Sequence, residues 1–287
     1  MKLTNDKKIL IVGLGLLGGS YAQSLTRQGF CVKAITRSKK TVDYALGKGW
    51  IAAGTTEVDP AIVGEADIVI FALYPGVFIR WIEEHQSLFK PGAILTDVTG
   101  VKACIVERIQ EMLRTDVEFI AAHPMAGRER SGIEYSDEAI FRGANYVVTP
   151  SESNTPEAIE LCEELGRTLG FARISRLSPT EHDEIIGYVS QLTHCIAVSL
   201  MTAKSYDNLE EYTGDSFRDL TRIARLNDEM WSELFLLNKD ALLEQIDLFE
   251  AEMAKIRHYL ETENREALRE IMRHSTARRA LFDKKKR

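Results

Sequence analysis

His123 stands where a residue for acid–base chemistry would be expected. The apolar run 119–122 precedes it, and Pro124 and Gly127 follow, which predicts a histidine at the carboxyl end of a strand. In an open parallel sheet that edge is where ligands bind, and a neutral imidazole there can accept a proton near pH 7. We therefore interpret His123 as a general base, with Glu129 nearby to orient it or to hold a cation.

Arg222 is the candidate for binding a carboxylate of a substrate. It lies in the segment 214–224, which begins at Gly214 and mixes turn, acidic and arginine residues with apolar ones. A guanidinium binds a carboxylate through two parallel hydrogen bonds, and Asp219, three residues earlier, could hold the arginine in place. The alternative is an ordinary ion pair on the surface.

A glycine-rich turn near the N-terminus predicts a dinucleotide site. Gly13, Gly15 and Gly18 are spaced G-x-G-x-x-G between the apolar run 9–12 and the helix-compatible stretch 20–27. Free backbone N–H groups and the dipole at a helix start suit a pyrophosphate, and the glycines allow a tight turn, approach of the phosphate and close helix–strand packing. A plain glycine-rich turn is the alternative. The residues expected to contact the cofactor are Gly13, Leu14, Gly15, Leu16, Leu17, Gly18, Leu73 and Tyr74.

The loop after the second strand indicates which dinucleotide is bound. An NAD site usually places an acidic residue here to hold the ribose 2′-hydroxyl, whereas this chain reads Thr36, Arg37, Ser38, Lys39, Lys40. Hydroxyls and cations suit a 2′-phosphate, so NADP is the predicted cofactor. NAD, bound at an unselective site beside a solvated basic loop, is the alternative.

The residues from 178 onward predict a helix with a polar side that could line a cleft. Ser178, Pro179 and Glu181 form a helix-start signature. At about 100° per residue, one side is apolar and predicted to be core: Ile185, Val189, Leu192, Ile196 and Leu200. The opposite side is small and polar, like a cleft wall: Gly187, Ser190, Gln191 and His194. His182 falls to the side of both, and we expect it to be exposed.

These residues need elements that bring them together. Short apolar strands alternate with amphipathic stretches from residue 9 to about 175, which predicts an α/β fold with a Rossmann-type doubly wound parallel sheet. The expected strands are 9–12, 31–36, 68–73, 94–97, 119–122, 146–149 and 172–174. Helix signals dominate after residue 176. We expect a dinucleotide-binding domain over 1–176 and an all-α substrate-binding and dimerisation domain over 177–287.

An apolar seam in the last third of the chain predicts a helix that needs a partner. Its residues recur at spacings of four and three over about five turns. They are Leu242, Ile246, Phe249, Met253, Ile256 and Leu260. The partner helix is expected either within the chain or in a second copy across a dimer.

Composition argues against several classes of protein. The chain has 287 residues, of which 45% are hydrophobic, and a net charge of −7, which is typical of a soluble globular protein and argues against a nucleic-acid partner. No apolar run reaches the roughly 18 residues of a membrane span, and no signal peptide is apparent. Cys31, Cys104, Cys162 and Cys195 include no Cys-x-x-Cys pair, which predicts packed thiols in a reducing cytoplasm and no metal site.

Taken in order, the motifs resemble those of the prephenate/arogenate dehydrogenase family of tyrosine biosynthesis, over nearly the whole chain. They are 13–20 (GLGLLGGS), Thr96-Asp97 with Val101-Lys102, 123–127 (HPMAG), 189–194 (VSQLTH) and 217–224 (FRDLTRIA). Other Rossmann dehydrogenases share only the first of these. Members look like a Rossmann domain joined to a helical domain that dimerises, so the resemblance implies a homodimer.

The resemblance also implies a reaction and roles for the residues. A cyclohexadienol diacid, prephenate or arogenate, gives hydride to the nicotinamide and loses its ring carboxylate as CO2, and the ring becomes aromatic. By the match of motifs, His123 takes the hydroxyl proton and Arg222 binds a substrate carboxylate. His194 lines the side-chain end of the substrate, and Glu129 belongs to a polar network near the entrance.

Two positions depart from the family pattern. Many members carry a serine where Gly100 stands, and its hydroxyl assists the histidine, so here that assistance must come from Thr99 or water. Members often have histidine in place of Gln191, which can form hydrogen bonds but cannot be charged. The residues expected around the substrate are Thr99, Gly100, Gln191, Gly214 and Asp219.

Prephenate dehydrogenase is the predicted function, and three alternatives stay open. Prephenate is favoured over arogenate because the wall of Gln191 and His194 offers no carboxylate to an ammonium group. Another two-domain NADP enzyme, a β-hydroxyacid dehydrogenase or imine reductase, would place a lysine or aspartate in that region. The third alternative is a nonenzymatic NADP sensor, against which the presence of both His123 and Arg222 argues.

Overall fold

The computed structural model describes residues 3–128 and 130–282. They form two compact units, one ending at Lys239 and the other beginning at Asp240. The first unit contains both the sheets and the helices up to residue 239. The domain boundary predicted between residues 176 and 177 is not tested by this division and stays a prediction.

The first unit is built on a six-stranded parallel sheet. Its strands are β1 (Lys8–Val12), β2 (Cys31–Ile35), β3 (Ala53–Thr55), β4 (Ile68–Phe71), β5 (Ile94–Asp97) and β6 (Glu118–Phe119). They lie in the order β3-β2-β1-β4-β5-β6, which is the doubly wound order whose ligand crevice lies where the order reverses, between β1 and β4. The predicted α/β fold is confirmed, although β3 is too short to be recognised from periodicity.

Helices cover both faces of this sheet, so its strands are buried apolar runs. Ile9 and Ile11 of β1 belong to one core cluster, and Leu10 and Val12 belong to the cluster on the opposite face. The helices of this part are α1 (Leu16–Arg27), α2 (Lys39–Gly47), α3 (Pro60–Glu65), α4 (Pro75–His85), α5 (Ala103–Met112) and α6 (Pro156–Leu169).

Three further strands form a separate sheet. β7 (Ala121–Met125) pairs antiparallel with β8 (Asn145–Thr149), which pairs parallel with β9 (Arg173–Arg176). The prediction of one strand over 119–122 that ends before His123 is wrong, because the chain leaves the six-stranded sheet after β6 and His123 lies in the middle of β7, opposite Val147. Both strands are buried, so hydrophobicity alone gives no sign of the change of sheet.

After β9 the described chain is helical, as predicted. α7 (Pro179–Ile186) begins with a capping box in which Ser178 and Glu181 each accept the backbone N–H of the other. It continues through a π-helical stretch, Gly187–Leu192, into α8 (Thr193–Thr202). The remaining helices are α9 (Asp215–Thr221), α10 (Asp228–Leu237), α11 (Lys239–Glu261) and α12 (Arg265–Arg279).

The π-helical stretch changes which side of this helix is buried. Ile185, Val189 and Leu200, predicted as core, are exposed, whereas Gln191 of the predicted cleft wall is 1% exposed. Hydrogen bonds from residue i to i+5 widen the turn, so a wheel drawn at a constant angle loses its phase across residues 187–192. Apolar side chains exposed together are often covered by another protein surface.

The continuous helix Pro179–Thr202 is long and apolar enough to cross a membrane by length and composition. The expectation that no segment reaches this length is therefore wrong as stated. A core helix of a globular protein passes the same test, and this one carries His182, Asp183 and Gln191 as buried polar residues. The absence of a membrane partner stays a prediction.

The second unit contains α12 and all of α11 except its first residue. Glu263, in the turn between them, adopts a φ of +54°, and Asn264 caps α12 by accepting the N–H of Ala267 at 3.1 Å. α11 confirms the helix predicted from the apolar seam. Met253 and Leu260, at the C-terminal end of that seam, are 50% and 61% exposed, whereas Leu242 at its start is buried. The part of the chain that the structure describes therefore leaves the end of the seam uncovered.

The turn from β1 into α1 depends on glycine at two positions. Gly13 adopts a φ of +97°, and its N–H donates to the Ile35 carbonyl at 2.8 Å. A Cβ on Gly18 would overlap the carbonyl oxygen of Gly13, so the first turn of α1 packs this closely only without a side chain. Gly15, by contrast, has open space around the position of a Cβ.

Gly18→Ala is expected to destabilise the fold. An overlap with backbone cannot be relieved by rotating a side chain, so we expect a loss of about 1–3 kcal/mol or more in the free energy of unfolding. Gly15→Ala is the matched control and should change that free energy by less than about 1 kcal/mol. Urea denaturation measures both, and equal stability of the two variants would contradict the packing role of Gly18.

A fully buried ion pair fixes the connection from β5 to α5. The Nζ of Lys102 donates to Asp97 at 2.6 Å and to the Thr99 hydroxyl at 3.1 Å, and neither charged side chain is exposed. The second carboxylate oxygen of Asp97 accepts the N–H of Ala122 at 3.1 Å. Burial lowers the pKa of Lys102, and Asp97 opposes that shift. The pair therefore joins β5, the loop 98–102 and β7.

Lys102→Met should destabilise the protein by about 3–5 kcal/mol, because it leaves the Asp97 carboxylate buried without its cation. Lys39→Met is the control, since Lys39 pairs with Asp43 at an exposed site, where solvent screens the interaction and little stability depends on it. Thermal unfolding of the two variants gives the comparison. A Lys102 variant as stable as the Lys39 variant would mean that the buried pair does not hold the connection.

Candidate active site

The glycine loop is open at the N-terminus of α1. Gly15 is the N-cap residue, no side chain of the described residues caps this helix, and the Cβ position of Gly15 meets no atom within 4 Å. Leu14 is buried, and Leu16 and Leu17 are half-buried in the first turn. Because backbone N–H groups at such a helix start lack partners within the helix, the loop fits the pyrophosphate of a dinucleotide.

The basic loop after β2 is exposed at the same edge of the sheet. The N–H of Thr36 donates to the Thr55 carbonyl at 3.1 Å, which fixes the start of the loop. Ser38 caps α2 by accepting the N–H of Thr41 at 3.3 Å, so its hydroxyl has a structural role. Arg37 is exposed, and it is the cation of this loop closest in sequence to the end of β2.

Leu73, predicted to contact the cofactor, lies beside the glycine loop, and Tyr74, predicted to do the same, is the N-cap residue of α4. A Cβ on Gly13 would come within 2.9 Å of the Leu73 side chain. The Tyr74 hydroxyl accepts a hydrogen bond from Asn227 at 3.3 Å, and the N–H of the second residue of α4, Gly76, donates to Glu233 at 2.6 Å. The β4–α4 connection is thus held by residues in and just before α10.

His123 is half-buried in β7, and its ring is hydrogen-bonded within the protein. Its Nδ1 lies 2.8 Å from Nε2 of His182. Burial lowers the pKa of His123 well below its ordinary value, and His182 and Lys102 lower it further. The ring is therefore neutral near pH 7 and can accept a proton.

The sequence predicts an exposed His182, and this prediction is wrong. In the structure the His182 side chain is fully buried. Its Nδ1 lies 2.7 Å from Oδ1 of Asp183. The Asp183 carboxylate also accepts the backbone N–H groups of Lys102 and Ala103, both at 2.8 Å, at the start of α5. Burial lowers the pKa of His182, and Asp183 opposes the shift. A carboxylate and two imidazoles are thus joined in one chain of hydrogen bonds.

The structure contradicts the expectation that the Thr99 hydroxyl could assist His123. This hydroxyl bonds to Asp97 and to the Val101 carbonyl, and it accepts from Lys102. At Gly100 a Cβ would meet only ordinary contacts, 3.9 Å from His123 Cε1 and 3.7 and 3.8 Å from the two methyl groups of Leu234. Gly100 therefore adjoins the histidine and Thr99 supports the loop, while the predicted contact of these two residues with substrate stays a prediction.

Gln191 lies inside the protein rather than on a cleft wall. Its Oε1 accepts from Asn238 at 2.7 Å, and its Nε2 donates to the Leu234 carbonyl at 3.2 Å. Asn238 also donates to the carbonyl of Asp183 at 2.9 Å. Gln191 therefore supports the backbone of Asp183, and its predicted contact with substrate has no support from this geometry.

His194 is stacked on an indole ring. The ring centroids of His194 and Trp231 are 3.8 Å apart with an interplanar angle of 33°, and the His194 Nδ1 lies 2.8 Å from the Ser190 carbonyl. Since a carbonyl only accepts, Nδ1 carries the proton in this bond. The stack fixes the ring plane of His194, and its place beside a substrate stays a prediction.

Arg222 follows α9 and is exposed. The segment that carries it, from Gly214 at the N-cap of α9 onward, packs against α8. Asp219, predicted to hold Arg222, is exposed, and an ion pair on this helix joins Arg218 to Asp215 at 3.7 Å. The roles of Gly214, Asp219 and Arg222 stay predictions. Glu129 lies outside the described residues.

Sequence reasoning missed His182 and Asp183. A helical wheel places His182 beside the apolar side, but the first turn of α7 packs against the start of α5, which encloses it. The available signal is a His-Asp dipeptide directly after a capping box, since a carboxylate early in one helix can accept the open N–H groups of another.

Comparison with known proteins agrees with this arrangement. Residues 21–174 match the family described as the nucleotide-binding domain of prephenate dehydrogenase, and residues 178–274 match its dimerization domain. Prephenate dehydrogenase from Bacillus subtilis is 30% identical over 91% of this chain and 72% of its own length.

Two solved structures resemble the whole chain. The prephenate dehydrogenase of A. aeolicus, in complex with hydroxyphenyl propionate and NAD+, superposes with a TM-score of 0.90 at 29% identity and covers 98% of this chain and 100% of its own. Synechocystis arogenate dehydrogenase gives a TM-score of 0.84 at 25% identity, with coverage of 96% and 100%. With its doubly wound sheet, its open glycine loop and both family domains, this chain belongs to the prephenate dehydrogenase family of nicotinamide-dependent oxidoreductases.

Proposed function

We propose that this chain is a prephenate dehydrogenase, which converts prephenate to 4-hydroxyphenylpyruvate by oxidation and decarboxylation. The observation that carries the proposal is the position of His123, which is half-buried and hydrogen-bonded to buried His182, where burial lowers the pKa of its ring. A base of this kind suits removal of a hydroxyl proton. The names of the relatives support the same substrate class.

The proposed roles of the residues follow from the charge of each side chain. When bound, the nicotinamide accepts the hydride, while CO2 leaves and the ring becomes aromatic. His123 accepts the hydroxyl proton, which raises the electron density at the carbon that gives up hydride. Arg222 is proposed to bind a carboxylate of the substrate through two hydrogen bonds, and His194 to line the side-chain end.

The cofactor is proposed to be NADP rather than NAD. The loop after β2 offers Arg37 on the surface and no acidic residue between 36 and 40. An open groove beside it is lined by Lys39, Asp43, Gly54 and Thr55, among others, and Lys39 pairs with Asp43 there. A 2′-phosphate would gain charge-assisted hydrogen bonds here. The A. aeolicus relative was solved with NAD+, so this proposal rests on the loop alone.

Arg37→Ala should weaken NADP binding and spare NAD binding. Loss of a hydrogen bond between charged groups is expected to raise the Kd for NADP by roughly tenfold. The Kd for NAD should change little because NAD has no 2′-phosphate. Isothermal titration calorimetry measures both, with the exposed Arg269 of α12 replaced by alanine as a control. An equal loss for the two dinucleotides would contradict the assignment.

The pH dependence of the reaction should report His123. A base must be unprotonated, and burial lowers the pKa of His123, so kcat/KM should be retained as pH falls to about 6.5 and decline only below it.

His123→Asn should lower kcat by about 10²-fold or more, with the Kd for NADP nearly unchanged. Near-normal turnover of this variant would remove His123 from the chemistry.

The assay that tests the function pairs prephenate or arogenate with NAD or NADP and follows absorbance at 340 nm. Reduction with prephenate is the expected result. Reduction with arogenate alone would replace the substrate assignment. No reduction in any combination, with dinucleotide binding measured separately, would favour the NADP sensor or a dehydrogenase with another substrate.

We infer that the protein forms a homodimer through its C-terminal helical part. The support is the match to a dimerization domain over 178–274 and the apolar side chains that one chain leaves exposed. These include Ile185, Tyr188, Val189, Phe249, Met253 and Leu260. A cytoplasmic location is proposed because all four cysteines are free thiols.

A further inference from the structure

The hydrogen bonds around His123 have a fixed direction. A carboxylate only accepts, so the proton between Asp183 and His182 belongs to Nδ1 of His182. In a neutral His182 the other ring nitrogen, Nε2, then has a lone pair and no proton. It can only accept from its neighbour, which is Nδ1 of His123 at 2.8 Å.

This direction determines which nitrogen of His123 is the base. If Nδ1 of His123 donates to His182, its Nε2 carries the lone pair. The opposite tautomer would set two lone pairs against each other across 2.8 Å. Lowered pKa values for both rings agree with two neutral imidazoles.

We propose that His182 and Asp183 are positioning residues that hold His123 as the Nδ1–H tautomer, so that Nε2 takes the proton from the substrate. After transfer, the imidazolium of His123 donates more strongly to His182, whose own proton points to the Asp183 carboxylate. A carboxylate behind an imidazole stabilises the charge that forms there. The kinetic part of this proposal rests on the proposed dehydrogenase function.

The loop 98–102 provides no other fixed hydrogen-bond partner for the His123 ring. Gly100, which lies beside His123 Cε1, has no side chain, and the Thr99 hydroxyl is bound to Asp97, Val101 and Lys102. Asp183 is in turn fixed by the N–H groups at the start of α5. The orientation of His123 therefore depends on α7.

The first test needs neither substrate nor turnover. Nitrogen-15 NMR of histidine-labelled protein, at a pH where His123 is neutral, distinguishes protonated from unprotonated ring nitrogens. His123→Asn assigns the signals. The expected result is a His123 ring protonated at Nδ1, with a preference that is lost in His182→Leu. A His123 ring protonated at Nε2 in the unsubstituted protein would overturn the proposal, whatever the substrate proves to be.

The second test separates the hydrogen bond that His182 accepts from the space that its side chain fills. His182→Leu removes the acceptor, whereas His182→Gln keeps an acceptor oxygen but cannot be protonated near pH 7. We expect kcat to fall on the order of 10²-fold in the leucine variant and to recover at least about tenfold in the glutamine variant. The Kd for NADP should be unchanged in both. His258→Gln, on the exposed side of α11, is the control for loss of a histidine.

Two kinetic outcomes would contradict the positioning role. One is a leucine variant with unchanged kcat. The other is an equal loss of kcat in both His182 variants, which would mean that His182 is needed for a reason other than accepting the Nδ1 proton of His123. If the protein turns over neither prephenate nor arogenate, the proposed function fails, and the NMR result still decides the tautomer.

Discussion

The Asp183 carboxylate is the interaction on which the arrangement of the site depends. It accepts two backbone N–H groups at the start of α5 and the Nδ1 proton of His182. A carboxylate without these donors would be costly to bury, and the donors without it would lose their partners. One side chain therefore fixes α7 against α5 and, through His182, fixes the ring of His123.

The polar groups around Asp183 are connected rather than scattered. Asn238 joins the carbonyl of Asp183 to the amide of Gln191, and the buried pair of Lys102 and Asp97 holds the loop that follows β5. Networks of this kind are costly when incomplete and rigid when every member is satisfied. That rigidity explains how the His123 ring on β7 keeps its orientation beside Gly100, a residue with no side chain.

Much of the fold could be predicted from the sequence because the signals are local. The alternation of strands and helices, the glycine turn at Gly13 and the capping box at Ser178 each depend on a few neighbouring residues. The candidate site was predicted less completely. His123 and Gly100 do adjoin one another, but the buried position of His182 depends on the packing of α7 against α5, which no local pattern contains.

Two errors have identifiable physical causes. The change from β6 to β7 happens within one buried apolar run, so hydrophobicity cannot reveal it. The π-helical stretch Gly187–Leu192 shifts the phase of its helix, so a wheel assigns Gln191 to a cleft although it is buried. π-helical turns occur often at functional sites, and here the stretch brings the Gln191 amide to Asn238, which bonds to Asp183.

The electrostatics of His123 follow from the same arrangement. Lys102 is the cation that helps to lower the pKa of His123, and its charge is balanced by Asp97. If His123 is the base for a substrate with two carboxylates, as proposed, that substrate brings negative charge near the ring, and nearby negative charge raises the pKa of an imidazole. His123 would then bind a proton more tightly with substrate present than without it.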